Sequence, residues 1–154
     1  MRSLLLAGAL AASLCLPARA HDFTLGDLKI GHPWTRATPA AGGVGGGYLV
    51  IRNTGSQPDR LLRAESTAAA NVELHTMSME GGVMRMRPVQ DIPIPPGGEV
   101  KLEPGGLHVM FLNTRERFVQ GEKIKATLVF ERAGSVDVEF TVDAAGARGS
   151  GHGH

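Results

Sequence analysis

The chain has 154 residues, a formal net charge of +1, 42% hydrophobic residues and a single cysteine. So even a charge balance gives no sign of a nucleic-acid or anionic-membrane partner, which clustered positive charge would attract. The length suits one domain with a real core.

Residues 1–20 read as a Sec-type signal peptide. Arg2 supplies the positive start, residues 4–16 form an apolar run too short to span a bilayer, and Ala18-Arg19-Ala20 is an A-x-A cleavage site. The mature chain is expected to begin at His21, in the periplasm. Cys15 follows Leu14, a poor residue before a lipidated cysteine, so no membrane anchor is expected. Cleavage removes that cysteine, and with it any disulfide, thiolate ligand or redox dithiol. It also excludes a blue-copper centre, which needs a cysteine thiolate.

Residues 21–143 read as one all-β domain. Val136, Val138, Phe140 and Val142 alternate with Asp137, Glu139, Thr141 and Asp143, the period of a half-buried strand. Residues 124–130 alternate in the same way. Further strands are predicted at 47–53, 61–66, 71–79, 83–89, 99–102 and 107–113. Turn signals separate them: Asn53-Thr54-Gly55, Gly81-Gly82, Pro95-Pro96-Gly97-Gly98, Pro104-Gly105-Gly106 and Gly134. Short strands at this spacing predict an antiparallel sandwich or barrel. Residues 68–70 read as one helical turn, 42–47 as a glycine-rich loop without the lysine of a phosphate-binding loop, and His32 as a loop residue. Trp34 and Tyr48 read as core aromatics. Residues 144–154 read as a flexible tail ending Gly-His-Gly-His.

Beyond the leader, every methionine lies between Met77 and Met110, and His75 and His108 stand in the same window. Methionine on a strand is ordinarily core filler. Five thioethers with two imidazoles in so short a stretch point instead to copper, because neutral thioether sulfur is a soft ligand that suits Cu(I). Residues two apart share a face of a strand. A hairpin of 71–79 with 83–89, turning at Glu80-Gly81, would oppose Met77 to Met84 and His75 to Met86. His75, Met77, Met84 and Met86 would then share one face, and a turn at Gly81-Gly82 would change the partners. His108 and Met110 share a face of a later strand, with Val109 and Phe111 on the other. Arg85 and Arg87 would face away from the cluster.

At these residues the chain resembles the periplasmic PCuAC copper chaperones. Their motif is a His, ten residues, a Met, twenty-one residues, then His-x-Met, and His75, Met86, His108 and Met110 match it at all four positions. The likeness extends to Trp34-Thr35-Arg36-Ala37-Thr38-Pro39, Gly47-Tyr48, Arg52-Asn53, Glu73-Leu74-His75, Met86-Arg87-Pro88-Val89 and the run from Leu102 to Met110. It implies a cupredoxin-like β-sandwich and Cu(I) bound by the four motif residues. It also implies delivery to an acceptor such as the CuA centre of a cytochrome c oxidase subunit, or to another copper carrier. Met77 is a candidate fifth donor. His21, whose α-amine cleavage would free, and His152 and His154 are candidate Cu(II) ligands. A monomer is expected. Two other readings compete: a copper buffer or resistance binder without a dedicated acceptor, and a β-sandwich interaction module whose methionines merely pack. With no Ser/His/Asp spacing, no paired catalytic carboxylate and no mature cysteine, an enzyme is not expected.

Overall fold

The computed structural model describes residues 22–149, and these form an all-β domain without a helix. Its strands are β1 (Phe23–Leu25), β2 (Leu28–Arg36), β3 (Val44–Asn53), β4 (Asp59–Glu65), β5 (Ala69–Glu80) and β6 (Val83–Pro88). They continue with β7 (Ile92–Ile94), β8 (Glu99–Leu102), β9 (His108–Thr114), β10 (Lys123–Phe130) and β11 (Gly134–Asp143). Hydrogen bonding runs in the order β6-β5-β9-β3-β2-β11-β10-β4-β7, with β1 on β2 and β8 on β3. All pairings are antiparallel except β11 with β2. The path curls over one apolar cluster, so Leu74 of β5, Phe111 of β9, Leu61 of β4 and Leu128 of β10 share a core. This is the all-β, mostly antiparallel architecture that the alternation predicts, and it agrees with the cupredoxin-like sandwich that the resemblance implies.

Alternation builds that core. On β10, Ala126, Leu128 and Phe130 are buried, and on β11 Val138, Phe140 and Val142 are buried. Phe111 stands at its centre, edge-on to Phe118 at 5.5 Å and to Phe140 at 5.6 Å between ring centroids, the arrangement that the ring quadrupoles favour.

Three strands escape the alternation rule. In β2, Leu28 and Ile30 are buried, but the register with β3 shifts between Gly31 and Trp34, and His32 takes a left-handed φ of 49°. His32 is therefore the bulge of a strand, not a loop residue. β7 is hidden by Pro93 between the buried Ile92 and Ile94, a position that an edge strand tolerates. β1 is only three residues long. Nor do residues 68–70 form a helical turn, because β5 starts at Ala69.

Gly45 and Gly46, read as loop, and Gly47, read as the junction of that loop with the strand 47–53, are strand residues of β3. Aromatic side chains lie over them. A Cβ on Gly45 would meet Phe118 at 2.7 Å, one on Gly46 the Tyr48 hydroxyl at 2.6 Å, and one on Gly47 both Phe140 (2.9 Å) and Phe111 (3.0 Å). Glycine here is a packing requirement. Gly47→Val should cost about 1–3 kcal/mol by overpacking, read as a fall in the midpoint of thermal unfolding.

Candidate metal centre

Pairing decides what lies near what. β5 runs beside β9 with His75 directly opposite His108, Leu74 opposite Val109 and Glu73 opposite Met110. Leu74, Val109 and Phe111 point into the core. His75, His108, Met110 and Glu73 therefore point to the other face. The hairpin adds Met77 opposite Met86 and Met79 opposite Met84 on that same face.

The hairpin register differs from the predicted one by two residues. The turn is Gly81-Gly82, not Glu80-Gly81, so His75 faces Pro88 and Met86 faces Met77. Both turn glycines have positive φ, 56° and 80°, which a type I′ hairpin turn requires at both central positions and glycine supplies without strain. A slip of two keeps every side chain on its face, so the thioether cluster survives with new partners. Met86 becomes a diagonal neighbour of His75, about 7–8 Å away at Cα and within reach of a long side chain. Arg85 and Arg87 do face away, with Arg87 paired to Glu80 at 2.8 Å.

Each imidazole is held by one nitrogen. His75 Nε2 lies 2.7 Å from Glu73 Oε2. An ionised carboxylate only accepts, so this nitrogen carries the proton. His108 Nδ1 donates to the Gly106 carbonyl at 3.0 Å. The other nitrogens, His75 Nδ1 and His108 Nε2, are buried without a hydrogen-bond partner, as among the described residues is only one other side-chain polar atom, Thr114 Oγ1. An orphaned buried acceptor costs about 1–3 kcal/mol. Two such lone pairs stand on rings whose centroids are 5.8 Å apart, on the face that also carries the buried Met110.

The row of rings extends further than the sequence suggests. Tyr48 lies 6.4 Å from His108 and Trp34 lies 4.7 Å from Tyr48, centroid to centroid. Both aromatics are buried, but against this face rather than in the central apolar cluster. Arg36 lies over the Tyr48 ring and donates to the Ala147 carbonyl at 2.7 Å, which ties residues 144–149 to β2. Glu73, Tyr48 and Trp34 are the site neighbours that the sequence reading missed. Glu73 carried a usable signal, since it stands two before His75 and so shares its face. His21, His152 and His154 lie outside the described residues.

Burial pushes the His108 pKa below its ordinary 6.5, and the neighbouring His75 adds to the depression against the opposing hydrogen bond to Gly106. The unfolded chain then takes up a proton, as pH falls below about 6.5, that the folded chain refuses. Stability conferred by neutral His108 is therefore full above pH 6.5 and lost as pH falls toward the lower folded value. Thermal melts of the metal-free protein between pH 7.5 and 5 should show a declining midpoint, and His108→Gln should flatten that slope.

The family model described as "Putative lipoprotein LpqE-like" matches residues 28–142. The chain is 30% identical over 122 residues to "Putative lipoprotein Lxx21020" of Leifsonia xyli subsp. xyli, covering 78% of this chain and 72% of that protein. Among solved structures it resembles the copper-bound PCuAC domain from PmoF2 (31% identity, TM-score 0.70, 80% of this chain and 98% of that one). It also resembles the Cu(I) form of DR1885 from Deinococcus radiodurans (25% identity, TM-score 0.61, 82% and 83%). With its fold and nearly all of its described length matched in this way, the chain belongs to the LpqE-like family and carries a PCuAC-type domain.

Proposed function

We propose that the protein is a copper carrier that holds Cu(I) through His75, Met86, His108 and Met110, and hands it to an acceptor protein outside the cytoplasm. The observation that carries this reading is the pair of buried, unpartnered imidazole nitrogens beside Met110. A Cu(I) ion would relieve the cost of both. Two imidazoles and two thioethers are neutral donors suited to a soft d10 cation, and they bind less tightly than thiolates, so the ion can leave by stepwise exchange. Glu73 and Gly106 fix which nitrogen each ring presents, the usual role of groups behind a metal ligand. Met77, between Met86 and the paired histidines in the sheet, is the natural supplementary donor. The copper-bound relatives support the choice of metal. The lipoprotein names of the family and of the Leifsonia relative support an extracytoplasmic location.

The acceptor is proposed to be the CuA centre of a cytochrome c oxidase subunit. Mixing Cu(I)-loaded protein with apo oxidase domains should give stoichiometric transfer. Retention of copper on the carrier would remove the oxidase from the proposal. Copper sensitivity without an oxidase defect on deletion would favour a buffer.

A further inference from the structure

The β5–β6 hairpin carries more sulfur than the four-residue site uses. Met79 faces Met84 at its end and Met77 faces Met86 one row further in, all on the face of His75. Met79, Met84 and Met86 are 65%, 45% and 47% exposed. They fill no core gap, the ordinary employment of methionine. The reverse face of the hairpin is polar, with Glu80 paired to Arg85 and Arg87, and β6 is the edge of the sheet. Nothing about the strand's own folding therefore calls for methionine at these exposed positions.

We propose that Met79 and Met84 form a second, weaker site for a soft monovalent d10 cation, the port through which Cu(I) enters and leaves the inner site, with Met77 and Met86 as the step between. This rests on the metal reading of the inner site. Directly opposed residues place their Cβ atoms about 5 Å apart, and two facing thioethers suit the two-coordinate geometry that such an ion accepts. Successive rows stand about 7 Å apart along the strand, a gap that the flexible methionine side chain bridges. The ion moves by ligand exchange alone: one sulfur bond forms as another breaks, with no change of oxidation state and no proton moved. Exposure falls along β5, from Met79 at the tip through the half-buried Met77 to His75, with 12% of its side chain exposed, and then to the buried His108 and Met110 on β9. The outer pair has neither imidazole nor burial, so it holds the ion more loosely.

The test uses Ag(I), a redox-inert d10 ion, with NMR of the methionine methyl groups of the protein. The first equivalent should shift the Met110 and Met86 methyls and the second those of Met79 and Met84. Replacing both outer residues (Met79→Leu with Met84→Leu) keeps the apolar surface and removes only sulfur. This variant should keep the first equivalent, lose the second, and surrender Cu(I) to a competing chelator several-fold more slowly. Unmoved Met79 and Met84 methyls, or wild-type stoichiometry and transfer rate in the double variant, would overturn the port; the latter would mark the patch as an apolar surface indifferent to sulfur. His75→Ala with His108→Ala separates the two ideas. Loss of the tight equivalent with the Met79 and Met84 shifts retained supports both sites, whereas an unchanged tight equivalent refutes the inner site and overturns the port that would serve it.

Discussion

Met110→Leu is expected to leave the fold intact and to weaken Cu(I) binding by more than about 100-fold. Met110 is buried on the face opposite Phe111. Leucine conserves its volume closely, and such swaps usually cost under ~1.5 kcal/mol. Alanine would confuse the result, because a cavity there would cost about 2–5 kcal/mol of stability by itself. The sulfur is all that leucine removes. Altering a group behind a metal ligand already costs about 10–100-fold in affinity, so loss of a ligand should pass the upper end of that range. Met86→Leu should act in the same direction, but less strongly, because Met77 stands opposite it and offers a replacement sulfur. Competition with a Cu(I) chelator, alongside a thermal melt of the metal-free variant, reads both quantities. Wild-type competition from Met110→Leu would refute the ligand assignment.

Phe111→Ala should destabilise the metal-free protein by about 3–5 kcal/mol, which for a domain of this size is a fall of roughly 6–20 °C in the unfolding midpoint. Phe111 is fully buried, makes both edge-on ring contacts of the core, and alternates on β9 with His108 and Met110. The same strand thus carries the core on one face and the donors on the other. Folding alone assembles the proposed site, so Cu(I) loading should restore part of the loss, about 2.7 kcal/mol when free metal is 100-fold above its dissociation constant. A variant midpoint that Cu(I) leaves unmoved would show that binding and folding are not linked at this site.

The face that each candidate donor occupies was legible in the sequence because it depends on local geometry. Side-chain direction alternates along any strand, so placing His108 and Met110 together, and Val109 and Phe111 opposite them, needs no knowledge of neighbouring strands. The same holds for His75 with Met77, and for the separation of Arg85 and Arg87 from Met86. The alternation in β10 and β11 marks the sandwich for the same reason.

What the sequence left open was pairing. His75 meets His108 only because β5 docks beside β9, although β6, β7 and β8 intervene in the chain, and no local rule selects that neighbour. The hairpin register turned on which pair of residues made the turn, which both glycines' positive φ decides. The glycine run of β3 was unreadable as strand because its justification, the rings of Phe118, Tyr48, Phe111 and Phe140, comes from residues that only folding brings over it. By itself the sequence determined the chemistry of the candidate donors and the face each occupies. The tertiary structure decided which of them are neighbours, which ring nitrogen each histidine presents and how deeply each is buried, because these depend on contacts between strands far apart in the chain.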